Sequence, residues 1–151
     1  MGKATQDLRK EHDSILHVLK ILDKMMSTDK KEDIVKLKYY NELVYFLKIF
    51  ADKCHHGKEE KYFFVELVNK GIPNDAGLIG SLLQEHSQSR EYIALMGKSL
   101  ESKDLIEFNT AATKYSNLLK SHIEKENNVL FPMADQLLDE QSQDALFEKF
   151  E

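Results

Sequence analysis

The chain has 151 residues, 42% of them hydrophobic and 31% charged, with a formal net charge of −5. It is large enough to bury a core, and without a long Lys/Arg block it is not built to bind a phosphate backbone. No apolar run nears the roughly 20 residues of a membrane span, residues 1–12 lack the apolar centre of a signal peptide, and one cysteine, Cys54, excludes an internal disulfide and a thiolate-rich metal site.

These features predict one soluble domain, 1–151, in a reducing cytoplasm, with neither nucleic acid nor membrane as partner and no protein partner specified. Two prolines and six glycines interrupt long stretches rich in Leu, Lys, Glu and Ile, so the class is all-α.

Leu8, His12, Ile15, Leu19, Leu22 and Met26 step by three and four, which predicts a first helix over about 4–26 with His12 in its buried stripe. "STDKKED" supplies turn and N-cap chemistry. A long second helix then runs to about Asn69, where Gly71 and Pro73 stop it. After the loop "GIPNDAG", a third helix aligns Ile79, Leu82, His86, Ser89, Ile93, Met96 and Leu100. A fourth, following "ESKD", carries Phe108, Ala111, Tyr115, Leu118, Leu119 and His122 on one side and bends or ends near Pro132. "DEQSQDALFEKFE" reads as a short amphipathic helix packed on the rest. Four principal helices with short connections predict an antiparallel up-down-up-down bundle with a short C-terminal helix.

The halves repeat. "KEHDSILHVL" resembles "QEHSQSREYI", and "CHHGKEEKYFF" aligns without gaps to "SHIEKENNVLF", placing His55 over His122 and Glu59 over Glu126. Each His and Glu of these pairs is four residues apart, with about 6 Å of rise between them on one helix face. Imidazole and carboxylate together suit iron, manganese or zinc, and a carboxylate from each of two helices can bridge two cations. A single histidine in an apolar stripe is ordinarily a hydrogen-bonded core residue. Here every principal helix contributes one, and burying several unpaired imidazoles and carboxylates is costly unless a metal compensates.

On an α-helix His56 lies about 100° around from His55, where a partly exposed neighbour is weighed against a ligand, and His56 is read as a ligand. Glu60 is the alternative to Glu59 as the ligating carboxylate, otherwise an outer partner or solvated. His17, about 140° from His12, is not a ligand. Cys54 and Tyr115 read as packing residues, with Tyr115 near enough to His122 to line a site. Glu11 and Glu85 are placed to orient an imidazole.

The ordered set "EH", "HHGKEE", "EH" and "HIEKENNVLFP" resembles the hemerythrin-like, or HHE cation-binding, family over nearly the whole chain. The resemblance implies a non-haem diiron centre inside the bundle: two iron ions with two bridging carboxylates, an oxo or hydroxo bridge and several terminal histidines. Carried over by position, the ligands are His12, His55, Glu59, His86, His122 and Glu126. On helix three, oxygen-carrying hemerythrins place two histidines four apart, whereas this chain has His86 followed by Arg90. His56 is the residue available to restore the missing imidazole.

The implied function is binding of, or reaction with, a small ligand such as dioxygen, nitric oxide or peroxide, for sensing, storage or detoxification. A metal-responsive interaction module is the alternative. An iron-storage or ferroxidase-type protein is disfavoured because no Glu-x-x-His segment is present, and a zinc hydrolase because His-Glu-x-x-His is missing.

Overall fold

A computed structural model describes residues 2–28, 33–73 and 77–151. Within them the chain forms α1 (Lys3–Ser27), α2 (Asp33–Phe46), α3 (Phe64–Asn69), α4 (Leu78–Glu101), α5 (Leu105–Lys125), α6 (Phe131–Leu137) and α7 (Glu140–Phe150). Two π-helical stretches, Leu47–His56 and Glu59–Phe63, join α2 to α3, and a third, Glu126–Leu130, joins α5 to α6. The result is four long rods (α1, residues 33–69, α4 and residues 105–137) plus α7. No strand occurs among the described residues.

The first rod packs against the second and fourth, and α4 lies between those two, which closes the all-α bundle. No helix among the described residues is long and apolar enough to cross a membrane. The N-cap chemistry read in "STDKKED" falls largely on residues 29–32, and the tip of the "GIPNDAG" loop on 74–76, both outside the described residues.

Two apolar cores fill the bundle. One gathers Ile15, Leu19, Leu47, Ile93, Met96, Tyr115 and Leu119. The other gathers Leu8, Phe63, Phe64, Leu82, Leu130 and Phe131. Along every rod the chain passes from one core to the other through a buried polar position: His12 between Leu8 and Ile15, His55, His56 and Glu59 between Ala51 and Phe63, His86 between Leu82 and Ile93, and His122 and Glu126 between Leu119 and Leu130. A polar layer is thus sealed between two dry ones.

Two local features depart from simple α-helical expectation. The second rod is long, as its pattern predicts, but it is π-helical through the histidines. Pro132 neither ends nor breaks the fourth rod: it sits in the first turn of α6, just after the π-helical stretch, where a proline's missing N–H is tolerated. Leu118 and Met26 are only half-buried at the edges of their stripes.

The terminal helix does more than cover apolar surface. Gly2, the N-cap of α1, has no side chain to cap with, and the need is met from α7, where Gln143 Oε1 accepts from Ala4 N at 3.1 Å and Thr5 N at 3.3 Å. Gln143 is itself buried and its amide donates to Asp135 at 3.1 Å. Gln143→Ala is expected to cost about 1 kcal/mol, the usual loss of an N-cap, read as a lower urea midpoint with unchanged slope.

Candidate metal centre

The polar layer resolves into two groups that share Glu59: His56, Glu59, His86 and His122 in one, and His12, His55, Glu59 and Glu126 in the other. Within each group the potential ligand atoms lie within 4.8 Å of one another, and all seven side chains are buried. Glu126 reaches across to the first group, with Oε1 3.3 Å from His122 Nε2 as well as 3.0 Å from His12 Nε2. Glu59 Oε1 lies 3.1 Å from His86 Nε2 and 3.8 Å from His55 Nε2. The two carboxylates therefore stand between imidazoles of different rods.

The outward nitrogens of four of the five rings are anchored, whereas His56 Nδ1 has no hydrogen-bond partner. Nδ1 of His12 donates to Asn127 Oδ1 at 2.8 Å, that of His55 to Glu11 at 2.8 Å, that of His86 to Glu60 at 2.7 Å and that of His122 to Glu85 at 2.8 Å. In a neutral ring, a proton held at Nδ1 leaves the Nε2 lone pair facing inward, the usual way a second partner sets the tautomer of a metal-binding histidine. Lys58 donates to Glu11 at 2.6 Å and Lys125 to Glu85 at 2.7 Å, fixing those carboxylates in turn. Phe131 stacks on His12 and Phe64 on His86, with centroids 5.3 Å and 5.7 Å apart, so apolar walls bound the layer.

Several inward atoms are left without any hydrogen-bond partner: His55 Nε2, both carboxylate oxygens of Glu59 and Glu126 Oε2. Orphaned buried carboxylate oxygens are expensive. Nitrogen and oxygen donors converging on two centres are what a pair of cations would satisfy, so the residues fit a metal group on their own geometry.

The family comparison agrees with that chemistry. The family description that matches residues 3–134 is the hemerythrin HHE cation binding domain. The chain belongs to the hemerythrin HHE cation-binding family. Comparison with curated proteins and with solved structures gave no match.

In this HHE domain, the structure gives the residues singled out in the sequence definite places. His56 is as buried as His55 rather than half-exposed, because i→i+5 bonding widens the turn and lessens the angle between successive residues, so both rings face inward. Glu59 lies inside and Glu60 outside, which sets the register between them. Glu60 is not idle, since it accepts from both His86 and Arg90. Glu11 and Glu85 do orient imidazoles, those of His55 and His122 on other rods rather than their chain neighbours.

His17 and Cys54 are exposed, and Tyr115 belongs to the apolar core, outside both groups. Lys58, Lys125, Asp52 and Asn127 were not singled out from the sequence. For the two lysines the signal was present, as they occupy matching places in the aligned segments.

Among the protein groups alone, burial pulls His55 from 6.5 to about 4 and His86 to about 3, and it lowers His56 as well. Burial acts the same way on His122, but the charge of Glu126 and hydrogen bonds to Glu126 and Glu85 outweigh it and raise this imidazole to about 9. Burial and the negative charge of Glu126 push Glu59 well up. Glu126 resists burial and is held well down, chiefly by His122. The layer thus favours a protonated Glu59 beside an ionised Glu126–His122 pair.

The sign for stability follows from which state binds more protons. As pH falls below 6.5 the unfolded chain takes up protons on His55, His56 and His86 before the folded one does, and these three outweigh the opposing Glu59, so stability falls towards pH 4. Above 6.5 the folded state retains the His122 proton that the unfolded chain releases, so stability falls again as pH rises towards 9. Protein stripped with a chelator is therefore expected to melt highest near pH 6.5 and lower on both sides; calorimetry across pH 4–9 checks this, and a monotonic profile contradicts it. Glu60→Ala is expected to weaken metal uptake by about ten-fold or more through loss of the His86 anchor, measured by equilibrium dialysis.

Proposed function

We propose that this HHE domain is a non-haem diiron protein that binds or reacts with a small ligand (dioxygen, nitric oxide or peroxide) for sensing, storage or detoxification. The observation that carries the reading is the division of the buried layer into two donor groups that meet at Glu59, with Glu126 within reach of both. His56, His86 and His122 would hold one metal, His12 and His55 the other, and Glu59 and Glu126 would span the pair. Two irons so held would supply the electrons and the coordination for a small ligand.

Two six-coordinate metals would need about twelve bonds; five imidazoles, two shared carboxylates and one bridging oxygen would leave one open, and it would fall to the metal held by His12 and His55. Around it, Phe131 excludes bulk water and Asn127 holds the His12 ring in place. The protein's part is to orient the donors, keep the layer dry and restrict entry to something small.

Because every rod contributes a donor, occupancy also bears on the fold itself, and this favours the metal-responsive interaction module as a second reading. The two readings separate on reactivity: a module changes its folding with metal but forms no adduct.

Anaerobic Fe(II) reconstitution is expected to yield two irons per chain by elemental analysis, with a higher melting temperature than the chelated protein. Settling at one metal, or preferring zinc, refutes the diiron reading. The oxidised protein is expected to give charge-transfer bands in the near ultraviolet and visible that shift with azide. Glu59→Ala and Glu126→Ala are each expected to abolish uptake of the second iron and those bands.

A further inference from the structure

The internal repeat provides a comparison within one chain. Anchors of the imidazoles recur in both halves: Glu11 with Glu85, Lys58 with Lys125, Phe131 with Phe64. The correspondence fails at one corner. His56 stands where the other half has Ile123, Asp52 where it has Leu119, Glu60 where it has Asn127, and Arg90 where α1 has Leu16.

These four departures converge in space. Arg90 Nε donates to Asp52 Oδ1 at 2.8 Å and Arg90 Nη2 to Glu60 Oε2 at 2.7 Å. Asp52 Oδ1 faces His56 Nδ1 at 3.5 Å, an ionic approach short of a hydrogen bond, and Glu60 Oε2 accepts from His86 Nδ1 at 2.7 Å. The His56 and His86 rings stack with centroids 3.8 Å apart and planes inclined by 14°. A guanidinium is a planar fork that can hold two carboxylates at once, and here each carboxylate it holds faces a different imidazole of the same donor group.

We propose that Arg90 is a positioning residue: by holding Asp52 and Glu60 against His56 and His86, it builds a third imidazole into one metal position and makes that position the tighter of the two. This deepens the two-metal reading and rests on it. An imidazole whose Nδ1 faces an anion keeps its proton there, turns Nε2 inward and is a stronger donor. In the group of His56, His86 and His122 the facing groups are the carboxylates of Asp52, Glu60 and Glu85. In the group of His12 and His55 they are the neutral amide of Asn127 and the carboxylate of Glu11. Donor number and donor strength favour the same side. Arg90 also gives a reason for the absence of a second histidine on α4: the position that would carry it holds the cation that secures His56 from the neighbouring rod.

The test uses the full chain, stripped of metal and titrated anaerobically with Co(II), whose visible bands report the donor set at each step. The unmodified protein is expected to take up two equivalents in two separated steps. Arg90→Leu, which installs the residue of the other half, and Asp52→Asn, which keeps side-chain shape should the first variant fold poorly, are expected to weaken the first step by about ten- to a hundred-fold and alter its bands while leaving the second step unchanged. Asn127→Asp, which gives His12 a carboxylate, is expected to tighten the second step and narrow the gap. Equal weakening of both steps by Arg90→Leu and Asp52→Asn, as general loss of packing produces, overturns the proposal, as do unchanged affinities in both or two indistinguishable steps in the unmodified protein. Uptake of a single equivalent by the unmodified protein defeats the two-metal reading itself, before any variant is needed.

Discussion

A layer of imidazoles and carboxylates buried between two apolar cores is the constraint to which the rest of this structure answers. An unpaired ion in such a place costs several kcal/mol even after relaxation, so each member needs a partner on its outer side or a cation on its inner side. The outer needs of four imidazoles are met by Asn127, Glu11, Glu60 and Glu85, and those of two of these acids by Lys58 and Lys125. The inner needs of Glu59 and Glu126 are not fully met by protein atoms. Apart from His56 Nδ1, the site is therefore satisfied from outside and open to a cation from inside, a division that makes metal occupancy part of the folding balance.

Duplication supplies an economical way to build such a layer. Each half brings one helix with Glu-His and one with His and Glu four apart, and the halves meet so that Glu59 and Glu126 face each other's imidazoles. Two equal halves would give two equal positions. The chain breaks that equality with four side chains, His56, Asp52, Glu60 and Arg90, which meet at one corner. Asymmetry between two bound metals is useful where one is to be held firmly and the other to keep a place for a ligand.

The π-helical stretches recur at matching positions, Glu59–Phe63 in one half and Glu126–Leu130 in the other. In each, the first and last residues are both buried, so a ligating carboxylate and an apolar residue of the adjoining core point inward from one wide turn. The longer stretch, Leu47–His56, has no equivalent in the second half, and it is where two successive histidines face the same interior. Such turns are frequent at functional sites because they alter side-chain direction without ending the helix.

Much of this was legible in the chain itself. Apolar steps of three and four set the helices and their inward faces, the aligned segments paired His55 with His122 and Glu59 with Glu126, and long stretches rich in Leu, Lys, Glu and Ile set the all-α class, because these signals are local. What periodicity assumes is a regular α-helix, and where the backbone widens that assumption misplaces His56. Nor does spacing say which residue of another rod meets an outward nitrogen: the partnerships of Glu60 with His86, Glu11 with His55 and Arg90 with Asp52 join residues far apart in sequence. Donor types and their spacing are properties of one helix and are written in the sequence, whereas the grouping of those donors around two centres, and the inequality of the centres, depends on how four rods pack, which only the tertiary structure decides.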